Sequence, residues 1–120
     1  LGDVYKRQNK KYVESINPIV FEIDGYSVYV GKNNKQNDYL STKFAKKDDV
    51  WFHTKDIHGS HVILKTNGTS PTLQTLEKCA SLAAYFSRAK LSSNVPVDYT
   101  FVKYVKKPSG SKPRYGNIYK

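Results

Sequence analysis

The sequence predicts an α+β domain with a mainly antiparallel sheet of about five strands, one long helix (about 72–90) and one short helix. Three observations support this class. Two β-rich runs flank the turn signal Asp24-Gly25, two more follow at 50–55 and 61–66, and one amphipathic stretch begins after Pro71. The 120 residues suffice for one domain with one modest core.

The first two strands are predicted at 19–23 and 26–30, with Asp24-Gly25 between them. Asp-Gly in this position favours a type I′ turn, which requires a positive φ at both central residues. A short helix is expected over 38–45, capped by its first residue or by Asn37.

The next two strands, 50–55 and 61–66, are joined by the loop 56–60. Because side chains alternate along a strand, every second residue of 50–55 should lie on one face of the sheet and the residues between them on the other. The first set is Val50, Phe52 and Thr54, and the second is Trp51, His53 and Lys55. We expect His53 and Lys55 to be accessible beside the loop.

The long helix should begin at Ser70 or Thr72. Its apolar stripe consists of Leu76, Cys79, Ala80, Ala83 and Phe86, and the small residues predict close packing against the sheet. A last strand is predicted over 95–106. Its apolar parity changes near Phe101, which indicates a bulge or a strong bend. The tail from Pro108 is predicted to be irregular.

The charge is strongly basic and uneven. The chain has 20 Lys plus Arg against 10 Asp plus Glu, a formal net charge of +10. From Tyr85 to the end there are eight basic residues and one acidic residue. Such a surface attracts polyanions, so nucleic acid is favoured over an anionic membrane, and a merely solvated basic surface is the alternative.

The remaining composition favours the cytoplasm. Cys79, the single cysteine, cannot form an internal disulfide, which suits a reducing compartment. The sequence contains no apolar run long enough to span a membrane and no pattern typical of a secretion signal.

Residues 3–8, Asp-Val-Tyr-Lys-Arg-Gln, match what a transposase end used in DNA library preparation encodes in one frame. We therefore interpret residues 1–8 as a sequencing-adapter artefact and leave them out of the fold prediction. Residues 9–120 still carry 18 basic and 9 acidic residues. We expect the domain to cover 9–113, the residues 114–120 to be a truncated or uncertain tail, and the native protein to extend upstream.

The segment 51–61 contains three histidines, His53, His58 and His61. Neutral imidazole is a common zinc ligand, but two of these residues lie on paired strands, the third lies in the loop, and no fourth ligand is apparent. We therefore predict no metal and no other cofactor. Ser60, His61 and Asp56 are candidates for a hydrolytic site, but proximity in sequence is not triad geometry, so no catalytic residue is assigned. Histidines that only cap turns are the remaining alternative.

RNA contact is the interpretation we favour for this segment. A hairpin tip with Lys55, Gly59 and Ser60 can hold phosphate oxygens, and Gly59 is expected to adopt a backbone conformation closed to other residues. Trp51 and the histidines offer faces on which unpaired bases stack, although Trp51 as plain core is an equal alternative. Arg88 and Lys90 close the predicted helix, where cations also complement the helix dipole.

A second basic segment, 104–115, interleaves cations with Gly, Pro and aromatic residues. Its residues Lys106, Lys107 and Lys112 are suited to an RNA backbone, and a solvated tail is the alternative.

Three stretches resemble the NFACT-R domain, the RNA-binding domain near the C-terminus of the NFACT proteins. The run 49–64 (DVWFHTKDIHGSHVIL) is similar to its signature, 30–40 (VGKNNKQNDYL) to its Gly-Arg-Asn-Asn-x-Gln-Asn segment, and 95–112 to its last strand and tail. Lys32 stands where arginine is usual, which keeps the charge but loses the bidentate fork. The residues 114–119 depart from the family pattern. The predicted RNA contacts are Lys32, Asn33, Asn34, Trp51, His53, Lys55, Gly59, Ser60, His61, Arg88, Lys90, Lys106, Lys107 and Lys112.

The resemblance implies a cytoplasmic ribosome quality-control factor, known in bacteria as RqcH. Such a factor binds a stalled large ribosomal subunit carrying peptidyl-tRNA and promotes alanine tailing. The implied partners are ribosomal RNA, tRNA and the large subunit, without a membrane. Most of these activities belong to upstream domains that this chain lacks, so the chain alone is expected to bind RNA. A fibronectin-binding surface adhesin, as an older label of the family suggests, and a hydrolase or metal enzyme built on the histidines are the alternatives.

Overall fold

The computed structural model describes residues 17–88, 95–105 and 116–119. Its strands are β1 (Ile19–Ile23), β2 (Tyr26–Val30), β3 (Val50–Thr54), β4 (Val62–Leu64), β5 (Pro96–Phe101) and β6 (Gly116–Tyr119). Its helices are α1 (Asn34–Tyr39), which continues as a π-helical segment (Leu40–Phe44), α2 (Leu73–Tyr85) and α3 (Val102–Val105). The strands form one antiparallel sheet in the order β1-β2-β4-β3-β5-β6. The predicted α+β class is confirmed.

The turn between β1 and β2 has the backbone that Asp-Gly predicts. Asp24 has a φ of 52° and Gly25 a φ of 85°. Ile23 pairs with Tyr26 directly across the turn, so the hairpin register follows from the two-residue loop. Both strands lie where they were predicted.

The larger core lies between the sheet and α2. Phe52 and Val62 are fully buried from the sheet side, and Cys79, Ala80 and Ala83 from the helix side. The predicted stripe of α2 is therefore confirmed. Its small side chains let the helix backbone approach the sheet closely, and dense packing of this kind stabilises the fold.

A smaller core lies on the opposite face of the sheet. Leu40 of the π-helical segment and Val102 of α3 cover Trp51 and Ile63 there. Trp51 is 9% exposed, so its side chain is part of this core. The predicted alternation along β3 is confirmed, because Phe52 faces α2 while Trp51 faces the π-helical segment and α3.

Asp49 joins the two segments that flank the central hairpin of β3 and β4. Its carboxylate accepts hydrogen bonds from the Lys65 ammonium at 2.6 Å, the Lys46 N–H at 2.8 Å and the Thr66 N–H at 3.1 Å. A buried carboxylate is tolerated when its oxygens are satisfied in this way. The first residue of the run 49–64 is thus structural.

Several boundaries differ from the sequence predictions. The helix predicted over 72–90 is present as α2, capped by Thr72, but it ends at Tyr85. The strand predicted over 95–106 ends at Phe101, where the chain turns into α3, so its change of parity marks a strand-to-helix turn and not a bulge. Helix α1 begins at Asn34, four residues before the predicted start, and its cap is Asn33.

The tail also differs, because 116–119 form the edge strand β6 paired with β5, where irregular structure was predicted. Within the described ranges, no helix is long and apolar enough to cross a membrane.

Candidate nucleic-acid interface

A pocket of about 200 Å³ forms where three segments distant in sequence meet. The segments are the start of α1, the β3–β4 loop and the residues that follow α2. Six of the predicted RNA contacts line this pocket: Lys32, Asn33, Asn34, Gly59, Ser60 and Arg88. The other lining residues are Asn37, His58, Phe86 and Ser87. The described lining contains no acidic side chain, so Lys32 and Arg88 give the pocket a positive charge.

The start of α1 is held by two hydrogen bonds that involve Gln36. The Gln36 N–H donates to Asn33 Oδ1 at 2.9 Å, and Gln36 Oε1 accepts from the Lys32 N–H at 2.7 Å. This arrangement resembles a capping box. It differs in that the Gln36 side chain accepts from the N–H of Lys32, the residue before the cap, and not from the N–H of the cap residue Asn33. Because the backbone is held in this way, Lys32 and Asn34 are presented at the surface with exposed side chains.

Gly31 is required by a close approach of Asn37. A Cβ at Gly31 would overlap Asn37 Oδ1 and lie 2.9 Å from Asn37 N. That same Oδ1 accepts from the His61 N–H at 3.0 Å, and the Gly31 N–H donates to the His61 carbonyl at 3.1 Å. Asn37 therefore ties α1 to the start of β4 and forms one wall of the pocket.

The β3–β4 loop is joined to the residues after α2. The Ser60 N–H donates to the Phe86 carbonyl and the Arg88 N–H donates to the His58 carbonyl, both at 3.1 Å. These bonds form a short antiparallel bridge between Gly59 and Ser87. They explain why α2 ends at Tyr85, because the next residues leave the helix to pair with the loop. Arg88 therefore projects from this bridge and not from the last turn of a helix.

Gly59 is needed for space and not for an unusual backbone angle. The glycines with positive φ among the described residues are Gly25 and Gly68, so the conformation predicted for Gly59 is wrong. A Cβ at Gly59 would lie 2.9 Å from Ser87 Cβ and 3.1 Å from Thr54 Oγ1. The absence of a side chain is what allows the loop to meet the end of α2.

His53, His61 and Trp51 form a ring cluster next to the pocket. The ring centroids of His53 and His61 are 5.2 Å apart, and those of Trp51 lie 5.8 Å from His53 and 5.5 Å from His61. His61 Nδ1 is 2.7 Å from Ser41 Oγ. His53 is half-buried, which differs from the exposure predicted for it, whereas Lys55 is exposed as predicted.

Both histidines of the cluster are neutral at physiological pH. Burial lowers the pKa of His61 to about 4, and the adjacent His53 acts in the same direction. Burial also lowers the pKa of His53, although an interaction with the Gly59 backbone opposes this shift. Neither ring supplies positive charge to a phosphate. Their geometry instead supports the loop and β4.

The low pKa of His61 predicts that the fold loses stability in mild acid. The unfolded chain binds a proton near pH 6.5, whereas the folded protein binds it only near pH 4, so stability falls as the pH drops through this window. Between pH 8 and 5 we expect a loss on the order of 2 kcal/mol from this group. Urea denaturation across this range should show a clearly weaker pH dependence for His61→Gln. Equal slopes for the variant and the parent chain would contradict the assignment.

The structure does not bring the histidines together as a metal site. Among the residues that the structure describes, no three His, Cys, Asp or Glu side chains are grouped so as to hold a metal ion. Burial raises the pKa of Cys79 to about 12, so its thiol is not an activated nucleophile. Lys90, Lys106, Lys107 and Lys112 lie outside the described residues.

Comparison with known proteins decides the family. The family model of the NFACT protein RNA binding domain matches residues 17–114. The chain belongs to this family. The match includes all three segments that form the pocket, so this site is part of the NFACT RNA-binding domain.

Relatives of this NFACT domain agree with the assignment. The Rqc2 homolog RqcH of Bacillus subtilis is 47% identical over 92% of this chain, and that of Streptococcus suis is 49% identical over 73%. The archaeal Rqc2 homolog aRqcH of Methanocaldococcus jannaschii is 33% identical over 81%. The chain spans 20%, 16% and 14% of the length of these relatives, respectively.

A solved structure has the same fold. It is the C-terminal part of the fibronectin/fibrinogen-binding protein of Streptococcus suis, with a TM-score of 0.75 and 40% identity. The similarity covers 85% of this chain and 44% of that one.

Sequence reasoning missed four residues of the pocket and one support residue. Asn37 belongs to the 30–40 segment, so the family resemblance was a signal for it. Phe86 was assigned only to the apolar stripe, and His58 was considered as a metal ligand and as a stacking face but was not among the predicted contacts. Ser87 was recognised only as a small residue of the predicted helix, and Ser41 not at all, because their roles depend on contacts with the β3–β4 loop and with His61.

Proposed function

We propose that this domain binds RNA at the pocket between α1, the β3–β4 loop and the end of α2. The parent protein is a ribosome quality-control factor that acts in the cytoplasm on stalled large subunits with peptidyl-tRNA. The observation that carries the RNA-binding proposal is the convergence of six predicted contacts on one basic pocket. The similarity to RqcH of Bacillus subtilis supports the proposal for the parent protein.

The chemistry of the pocket suits a phosphate backbone. Lys32 and Arg88 are exposed cations on two different segments, so they can contact successive phosphates. Exposed Lys55 adds a further cation at the start of the β3–β4 loop, where Asp56 and Asp98 lie near it. Trp51 and His61 take no direct part in the proposed contact, because they support the loop from the smaller core. We assign the domain no catalytic role.

RNA affinity should fall steeply with salt. If about four phosphates are neutralised, log K should decrease against log salt concentration with a slope of about −3 to −4. Filter binding of ribosomal RNA or tRNA between about 50 and 300 mM salt measures this slope. Each neutralised phosphate contributes about 0.7–0.9 to its magnitude. A slope near zero would contradict an electrostatic contact.

Loss of either pocket cation should weaken binding and flatten the salt dependence. Lys32→Ala and Arg88→Ala should each cost about 1–2 kcal/mol of binding free energy and reduce the slope by about one, since each removes one phosphate contact. Lys47→Ala is the matched control, because Lys47 is exposed but precedes β3, at the other end of that strand from the pocket. If all three variants bind alike, the RNA site lies elsewhere on the domain.

The fibronectin/fibrinogen-binding protein that shares this fold supports a second candidate, a host-protein adhesin. Its test is binding of immobilised fibronectin by the same variants. An adhesin should bind fibronectin with weak salt dependence and with no effect of Lys32→Ala, whereas an RNA-binding domain should give the opposite pattern.

A further inference from the structure

We infer that the pocket takes one unpaired nucleotide of single-stranded RNA, with its base inside and its phosphates at Lys32 and Arg88. This inference rests on the proposed function, RNA binding at the same pocket. It goes further by naming the form of RNA that the pocket selects.

The size and walls of the pocket suit one flat ring system. Its volume of about 200 Å³ exceeds the space of one water, about 30 Å³, and is below that of pockets for drug-sized ligands, about 300–1,000 Å³. His58, an exposed residue of the lining, supplies a flat imidazole ring at one wall. Aromatic walls of this kind stack on unpaired bases without strong sequence preference.

The polar groups around the pocket suit the edge of a base. Asn34 and His58 are exposed and line the pocket. Among the described residues, the Asn33 side chain bonds only through Oδ1, which leaves its amide nitrogen for a ligand. An amide side chain combines a donor with an acceptor and can match the paired donor and acceptor of a base edge. Phosphates alone would not use this mixture of groups, since they only accept hydrogen bonds.

A duplex cannot fill the same pocket. In A-form RNA the bases are stacked and paired, and the deep major groove is closed to side chains, so recognition is limited to backbone and minor-groove contacts. A concave site between His58 and Asn34 would stay empty against such a surface. Lys32 and Arg88 would still contact phosphates, which predicts weaker but measurable duplex binding.

The test compares the affinities of the full 120-residue chain for three RNA probes that have equal numbers of phosphates per strand. The probes are a single strand of about 12 nucleotides, within the usual site sizes of single-strand-binding domains, its blunt duplex, and the same strand with abasic riboses. We expect the single strand to bind at least about tenfold more tightly than either other probe, as base stacking in a pocket allows. Asn34→Ala should lower the ratio of single-strand to duplex affinity by about two- to tenfold, because it removes a hydrogen-bonding group at the base edge and leaves the stacking ring in place. Gln74→Ala, an exposed amide at the start of α2, should preserve the ratio.

The possible outcomes separate the two proposals. Equal affinity for the single strand and the abasic strand, or for the single strand and the duplex, would overturn the unpaired-nucleotide site while leaving RNA binding in place. An unchanged ratio in Asn34→Ala would do the same. Failure to bind any of the three probes would refute the proposed function itself, and this inference with it.

Discussion

Replacing Phe52 with alanine should lower the free energy of unfolding by about 3–5 kcal/mol. Phe52 is fully buried at the centre of the larger core, and its ring stacks on Tyr99 with a centroid distance of 6.0 Å. The cost combines lost burial with the cavity left between the sheet and α2, because a packed core collapses only partly around a missing ring. Urea denaturation followed by circular dichroism measures the change.

Two neighbours on β3 and its loop provide matched controls for Phe52→Ala. Lys55→Ala removes an exposed cation, so stability should stay within about 0.5 kcal/mol while RNA binding weakens by about 1–2 kcal/mol. His53→Ala should lose about 1 kcal/mol of stability, a value between those of Lys55→Ala and Phe52→Ala, because the half-buried His53 ring contacts Trp51 and His61. If Phe52→Ala costs no more than Lys55→Ala, the larger core has been placed on the wrong face of the sheet.

Replacing Gly31 with alanine should cost about 3 kcal/mol of stability and also disrupt the pocket. The new Cβ would overlap Asn37 Oδ1, so Asn37 must move and give up its hydrogen bond to the His61 N–H. Overpacking a tight site costs about 1–3 kcal/mol, and a buried amide left without its acceptor adds about 1–3 kcal/mol. Thermal denaturation measures the first effect, and RNA binding by the remaining folded protein measures the second.

A double-mutant cycle distinguishes this close approach from a general effect on the turn. In an Asn37→Ala background the overlap with Oδ1 is gone, so Gly31→Ala should cost less than it does in the parent chain. The two substitutions should therefore be non-additive by about 1 kcal/mol or more, as expected for residues in contact. Strict additivity would mean that Gly31 and Asn37 act independently, in conflict with the geometry.

The local features of the fold were predictable from the sequence because each depends on neighbouring residues. The Asp24-Gly25 turn requires two positive φ angles, and Asp-Gly accepts them. The division of β3 into two faces follows from the alternation of side chains, and the buried stripe of α2 follows from helical spacing. The family followed from three ordered stretches that the family model also covers.

The site was predictable only in part. The sequence singled out Lys32, Gly59 and Arg88, but it could not show that they line one pocket, since the pocket depends on hydrogen bonds between the β3–β4 loop and residues 86–88. The same bonds end α2 at Tyr85, a boundary that helix propensity does not encode.

The sequence by itself thus determined the α+β class, the register of the first hairpin, the faces of β3 and the family. Turn chemistry and side-chain periodicity act over a few residues, so they can be recognised without the fold. Only the tertiary structure decided the role of Asn37, the reason for Gly59 and the neutral state of His61. These properties depend on space and burial set by distant segments, and no local pattern carries that information.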